Sequence, residues 1–147
     1  KLQMVCDEGL YDPANEPDIA YAYLFSHFRG EEWRTQKETR RLLDKYFTTA
    51  PDGIPGNDDT GTMSAWAVFT MLGLYPDCPG EPYYTLTAPV FDRAEIDTDG
   101  GTLVIEKRGE GYIRKMTLGD KPLTKYRVGH DELLRGGKLT FELKNER

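Results

Sequence analysis

The sequence predicts an α+β chain, with a helical half over residues 1–76 and an antiparallel β-sheet or small sandwich over residues 77–147. Three observations predict it. Up to about Tyr75 the apolar residues recur with helical spacing. After the stretch PDCPGEP (76–82) the spacing drops to two, the period of a half-buried strand. Glycine-bearing turn signals then punctuate the chain at short intervals.

Three helices are expected in the first half. One runs from about Glu16 to Phe28, with Pro17 at a first-turn position where proline is tolerated and Gly30 as the stop. A second, about Glu31–Thr48, is amphipathic: Trp33, Leu42, Leu43, Tyr46 and Phe47 oppose Lys37, Glu38, Arg40, Arg41, Asp44 and Lys45. A third, about Thr62–Tyr75, is apolar nearly all round, as in a helix buried on every side. Such helices need more partners than this chain offers. They read as a wedge of an α-helical barrel whose other helices lie upstream.

Strands are expected at 83–87, 90–97, 102–107, 112–118, 122–128 and 138–144, with one helical turn at 130–135. The last strand is the clearest, with Leu139, Phe141 and Leu143 facing in and Thr140, Glu142 and Lys144 facing out. Asp97-Thr98-Asp99-Gly100-Gly101 has the beginning of a calcium loop, but the twelfth position is Arg108 where a Glu is needed, so it reads as a hairpin turn. His130 lies among charges without ligand partners and reads as a surface residue.

A formal net charge of −6 argues against nucleic acid, which requires a basic stripe. The imbalance is uneven: residues 1–59 hold 12 acidic and 7 basic side chains, and 14 of the 17 aromatic residues precede residue 92. Carboxylates and rings together suit carbohydrate, which offers hydroxyls to the first and C–H faces to the second. No run approaches the roughly 20 apolar residues of a membrane span. The start, KLQMVCDEGLYD, has neither an apolar signal region nor an initiator Met, and the chain reads as a piece of something longer. Cys6 and Cys78 are compatible with a disulfide or with two free thiols.

Two constellations carry candidate chemistry. In GIPGNDDTGTMSAWAVF (53–69), Gly53, Pro55, Gly56 and Asn57 lead into Asp58 and Asp59, directly ahead of the apolar helix. Adjacent carboxylates repel, and nearby apolar surface raises that cost. The pair serves either as a helix cap or as a working group, and two-carboxylate glycoside hydrolysis needs a base of this kind. Asn15 and Glu16 form the second constellation, as a helix start or as oxygen ligands for a hard cation or a sugar. Asn57 and Trp66 are candidate substrate contacts, although Trp66, like Trp33, occupies a helix-face position where core burial is commoner.

Several blocks resemble glycoside hydrolase family 92, the calcium-dependent α-mannosidases, whose members carry Gly-x-Pro-Gly-Asn-Asp-Asp leading into Met-Ser-Ala-Trp. Here these are Gly53, Pro55, Gly56, Asn57, Asp58 and Asp59, then Met63, Ser64, Ala65 and Trp66. NEPDIAYAYLF (15–25), GEEWRTQ (30–36), LYPDCPGEPYYTL (74–86) and GGKLTFEL (136–143) match in the family's order, so the resemblance covers nearly the whole chain. It implies a partial (α/α)6 barrel followed by the β subdomain, in an exported enzyme that cleaves mannose-containing glycans, α-1,2-linked mannosides foremost, with inversion. It also implies Asp59 as general base, Asp58 as the group that orients water or grips a sugar hydroxyl, and Asn15 and Glu16 as ligands of Ca2+. The general acid would be a glutamate in the upstream part of the same polypeptide, leaving this piece inactive alone. Ala14 stands where the family often has Gly, which bears on linkage preference.

Two other readings remain: a non-catalytic carbohydrate-binding or scaffold module, and a related barrel hydrolase acting on another sugar. A binding module would align exposed rings such as Tyr83, Tyr84 and Tyr112 on one sheet face, whereas an enzyme would bring Asn15, Glu16, Asp58 and Asp59 to one pocket.

Overall fold

A computed structural model of the protein describes residues 1–146, in two compact units that divide between Val68 and Phe69. The division falls inside a helix rather than at the proline-rich stretch that follows it.

The first unit begins with a short helix that the apolar spacing does not announce, α1 (Leu2–Asp7), which buries Cys6. Burial raises the pKa of that thiol, and the nearby Glu38 carboxylate adds to the rise. The helix expected at 16–28 is not an α-helix. The chain winds instead into two 3-10 segments, Glu16–Asp18 and Tyr21–His27. The backbone shows why. In an α-helix the Ile19 carbonyl would accept the Tyr23 N–H, but it accepts the indole N–H of Trp66 at 2.9 Å while Tyr23 donates to Ala20. One turn on, the Tyr23 carbonyl takes the Thr35 hydroxyl at 3.4 Å.

Helix α2 (Glu32–Tyr46) forms close to its expected limits, with Leu42 and Leu43 buried. The same helix also buries Thr35, Gln36, Glu38 and Thr39, so Glu38 does not lie on a solvated face. These polar groups are satisfied locally. Ser26 donates to the Thr35 hydroxyl at 2.9 Å, Thr39 donates to the Thr35 carbonyl at 2.8 Å, and Arg41 pairs with Glu38 at 2.7 Å.

Helix α3 (Thr62–Leu72) stops three residues earlier than expected. Gly73 turns the chain with φ +86°, and a Cβ there would lie 2.6 Å from the Pro89 side chain. Burial on every side is not found: Met63, Trp66, Ala67 and Thr70 are buried, while Ser64, Ala65 and Val68 are exposed.

The second unit holds two sheets. Strands β1 (Leu74–Tyr75), β2 (Tyr83–Leu86) and β7 (Arg127–Gly129) make an antiparallel three-stranded sheet in the order β1-β2-β7. Strands β3 (Arg93–Thr98), β4 (Gly101–Arg108), β5 (Tyr112–Leu118), β6 (Lys121–Pro122) and β8 (Gly137–Lys144) make a five-stranded sheet in the order β3-β4-β8-β5-β6. The segment expected as one strand at 122–128 is split between the two sheets. Pro122 has no N–H to extend a ladder, and the chain crosses over before Arg127.

The larger sheet is mixed rather than wholly antiparallel, because β8 runs parallel to β4 and antiparallel to β5. As a central strand β8 is buried along its middle, with Gly137 and Lys144 exposed at its ends. Leu139 and Phe141 are fully buried, and Thr140, expected to face out, is buried between Glu106 and Thr117 on its flanking strands. The β3–β4 turn is a two-residue hairpin at Asp99-Gly100, closed by the Thr98–Gly101 pair. Helix α4 (His130–Leu134) is held at its start by the Glu132 carboxylate, which accepts the Gly129 N–H at 3.2 Å. The Lys121 ammonium, and then that N–H, hold the Glu132 carboxyl below its ordinary range.

Phe141 fills the centre of this core beside Leu139, Ile105 and Met116. Phe141→Ala is therefore expected to lower unfolding free energy by about 3–5 kcal/mol, measured by denaturant unfolding.

Candidate active site

The segment 53–61 is a chain of tight turns. Gly53 has no room for a side chain, since a Cβ would sit 2.2 Å from the Thr48 carbonyl oxygen. The Asn57 side chain accepts the Asp59 N–H at 3.2 Å and so closes an Asx turn. Asp59 and Thr60 follow with φ +48° and +61°, the two non-glycine residues with positive φ among those described. Asp tolerates this region, but a β-branched threonine there is strained. The Thr62 hydroxyl braces the turn by donating to the Asp59 carbonyl at 2.7 Å.

This geometry separates the two carboxylates. Asp58 accepts the Ser64 N–H at 2.8 Å through Oδ1, and its carbonyl accepts the N–H groups of Gly61 and Met63. It caps α3. The Asp59 side chain has no hydrogen-bond or ion-pair partner among the described residues. It is half-buried and carried on the strained turn.

Asn15 takes the N-cap position of the first 3-10 segment with its backbone alone: φ −97° and ψ 110° are ordinary there and its carbonyl accepts the Asp18 N–H at 2.9 Å, but its side chain makes no capping bond. The Asn15 and Glu16 side chains are both exposed, and neither has a hydrogen-bond or ion-pair partner among the described residues. The neighbouring polar groups are engaged by contrast. Asp12 accepts the Ala14 N–H at 2.9 Å, and Asp18 accepts the Tyr21 hydroxyl, which raises that tyrosine's pKa. An amide oxygen beside a carboxylate, both left open, fits the donor chemistry of a hard cation. No group of three His, Cys, Asp or Glu suited to a metal occurs among the described residues, so further oxygens would have to come from elsewhere.

The two motifs are close through their backbones. A Cβ on Gly56 would lie 3.0 Å from the Ala14 Cβ, which sets the turn before Asn57 against the residue before Asn15. At Trp66 the structure corrects the sequence reading. The residue is 2% exposed, stacked on Phe47 at 5.3 Å and edge-on to Tyr23, so it is a core residue and not an open platform for a sugar. Asn57 remains exposed, and its amide nitrogen has no hydrogen-bond acceptor among the described residues. The Ala14–Gly56 contact escaped sequence reasoning; the small residues at both positions were its only trace.

The β half does not assemble a ring platform. Tyr83 and Tyr84 are consecutive on β2 and point to opposite faces, and Tyr112 belongs to the other sheet. Tyr84 stacks on Phe69, and its hydroxyl meets His130 Nδ1 at 3.0 Å, so His130 is a partnered, half-buried residue rather than a free surface one. Cys6 and Cys78 are free thiols. No helix among the described residues is long and apolar enough to cross a membrane.

Similar proteins place these features among the glycosidases. A protein of Arthroderma benhamiae described as an uncharacterized secreted glycosidase is 30% identical over 154 residues, covering 99% of this chain and 20% of that protein. Residues 2–145 match the glycosyl hydrolase family 92 catalytic domain, and the chain belongs to that family. A family GH92 alpha-mannosidase from Bacteroides thetaiotaomicron superposes with a TM-score of 0.86 at 29% identity, over 94% of this chain and 19% of that one. An inverting mannosidase of the same family and organism superposes with a TM-score of 0.81 at 31% identity, over 97% of this chain and 20% of that one. The chain thus spans about a fifth of the length of these relatives.

Opposite effects on stability are expected from two neighbours in the turn. Asp58→Ala should cost about 0.5–2 kcal/mol through the lost cap, whereas Thr60→Gly should stabilise by up to about 1 kcal/mol by relieving the left-handed backbone. Denaturant unfolding reads both.

Proposed function

We propose that this chain supplies the base-bearing part of the active site of an inverting α-mannosidase. The observation that carries the reading is the Asp59 carboxylate, without a hydrogen-bond or ion-pair partner among the described residues on a braced, strained turn, while one oxygen of its neighbour Asp58 holds that turn. A general base has to be positioned yet available, and Asp59 meets both conditions. The substrate class is supported by the relatives. One is described as an inverting mannosidase, and a family GH92 alpha-mannosidase was solved with mannoimidazole, at 28% identity to this chain.

In an inverting hydrolysis water attacks the anomeric carbon from the face opposite the leaving group. Asp59 accepts the proton of that water. Asp58, whose second oxygen is not used by the cap, orients the water or a sugar hydroxyl. Asn57 offers its amide to a hydroxyl. The acid that protonates the leaving oxygen belongs to the upstream part of the polypeptide, so this piece alone is inactive. Asn15 and Glu16 contribute oxygen ligands to a calcium ion, which takes 6–8 in all and when bound supplies positive charge for holding sugar hydroxyls. Export is the cellular setting, supported by the description of the Arthroderma benhamiae relative as secreted.

In the full-length protein Asp59→Asn should lower turnover of an aryl α-mannoside by roughly 10²–10⁴-fold, the span for losing a general base. Asp58→Asn should act more weakly and also lower stability. Near-normal turnover in Asp59→Asn would reverse the role assignment, and a first-formed α-anomer by NMR would exclude inversion.

Chelation of the full-length protein should abolish mannoside hydrolysis, and calcium should restore it better than Zn2+, which prefers nitrogen and sulfur ligands. Glu16→Gln should raise the calcium needed for half-maximal binding by calorimetry. Full turnover after metal loss verified by elemental analysis would remove calcium from the reaction.

A further inference from the structure

Asn15 and Glu16 lie between two points at which their segment is fastened to the part of the chain that bears the carboxylates. At one end Ala14 abuts Gly56, where a Cβ would come within 3.0 Å of the Ala14 methyl. At the other end the Ile19 carbonyl accepts the Trp66 indole N–H at 2.9 Å, and the Ile19 N–H donates to the Glu16 carbonyl at 3.2 Å. A short relay therefore runs from Trp66 through Ile19 to Glu16. Its origin is fixed, because Trp66 is packed between Phe47 and Tyr23 on the helix that Asp58 caps.

The geometry points to Trp66 as a positioning residue: its indole N–H sets the Glu16 ligand relative to the Asp58–Asp59 turn, so that calcium binding depends on a group that touches neither metal nor sugar. The inference rests on the calcium reading of Asn15 and Glu16 given above. Ile19 is buried, so deleting the donor leaves its carbonyl without that partner, and the backbone shifts toward another donor or water. Glu16 is the first group attached to whatever moves. Partners beyond the ligands orient them in the same way at other metal sites.

The test compares two variants of the full-length protein. Trp66→Phe removes the N–H and keeps an aromatic ring, while Phe47→Leu removes the stack and keeps the N–H. Calcium binding to metal-free protein is measured by calorimetry, alongside the unfolding temperature without calcium. Trp66→Phe should weaken calcium binding by roughly 10–100-fold, the span for losing an outer partner of a ligand. Phe47→Leu should lower the unfolding temperature with calcium affinity unchanged. Wild-type affinity in Trp66→Phe overturns the inference, and so does equal weakening in Phe47→Leu, which would mark general loosening. Glu16→Gln separates the two levels. If it too leaves affinity unchanged, the calcium reading itself fails; if it weakens binding and Trp66→Phe does not, only the positioning role falls.

Discussion

The Trp66 indole donates to a carbonyl 47 residues earlier in the chain, and the local winding of residues 19–27 follows from that bond. With the Ile19 oxygen taken, the segment tightens to i→i+3 bonds and runs as a 3-10 helix for seven residues, longer than that geometry usually persists. Such a stretch does not hold by its own bonds. It is held from outside, by the indole at one point and by Thr35 at another, where the polar face of α2 accepts Ser26 and donates to Tyr23. The buried threonines of α2 and the buried tryptophan of α3 thus act on one irregular segment from two directions. That segment is continuous with the residues that leave their oxygens open.

Strain and openness occur together in the turn at 57–61. Consecutive left-handed residues persist only where the surroundings over-determine them. Here the Asn57 side chain, the Thr62 hydroxyl and the Asp58 cap all act on the same few backbone groups. The outcome is a division of labour between identical side chains: one carboxylate gives an oxygen to structure and the next gives none. Two aspartates differ here only because the backbone between them leaves the ordinary regions.

Much of this was legible in the residues. Tyr112–Leu118 forms a strand to the residue, because glycines bound it on both sides, although a register shift between Ile113 and Lys115 breaks its alternation so that Ile113 and Met116 are both buried. The α2 limits follow equally directly from charge and apolar periodicity. What the sequence could not show are effects that arise at a distance. Apolar spacing does not separate an α-helix from a 3-10 helix when a remote side chain claims one carbonyl. Nor does any local pattern indicate that β8 enters parallel to β4, since that depends on a gap left by strands made earlier. Trp66 was visible as a ring beside the carboxylates, but only packing shows its faces to be occupied. In the candidate site the motif named the residues. The backbone angles and the unspent side chains distinguish the roles they are proposed to play.

The insertion of β8 between β4 and β5 has a consequence for synthesis. Until residues 137–144 leave the ribosome, the strands on either side of the gap each present an open edge, and neither has the ladder partner for its N–H and C=O groups on that side. The sheet is therefore not closed in the order in which it is made, and its last strand acts as a keystone. A premature stop or a proteolytic nick that removed these eight residues would not merely shorten the sheet; it would expose two template edges at once, in a nascent chain prone to aggregate.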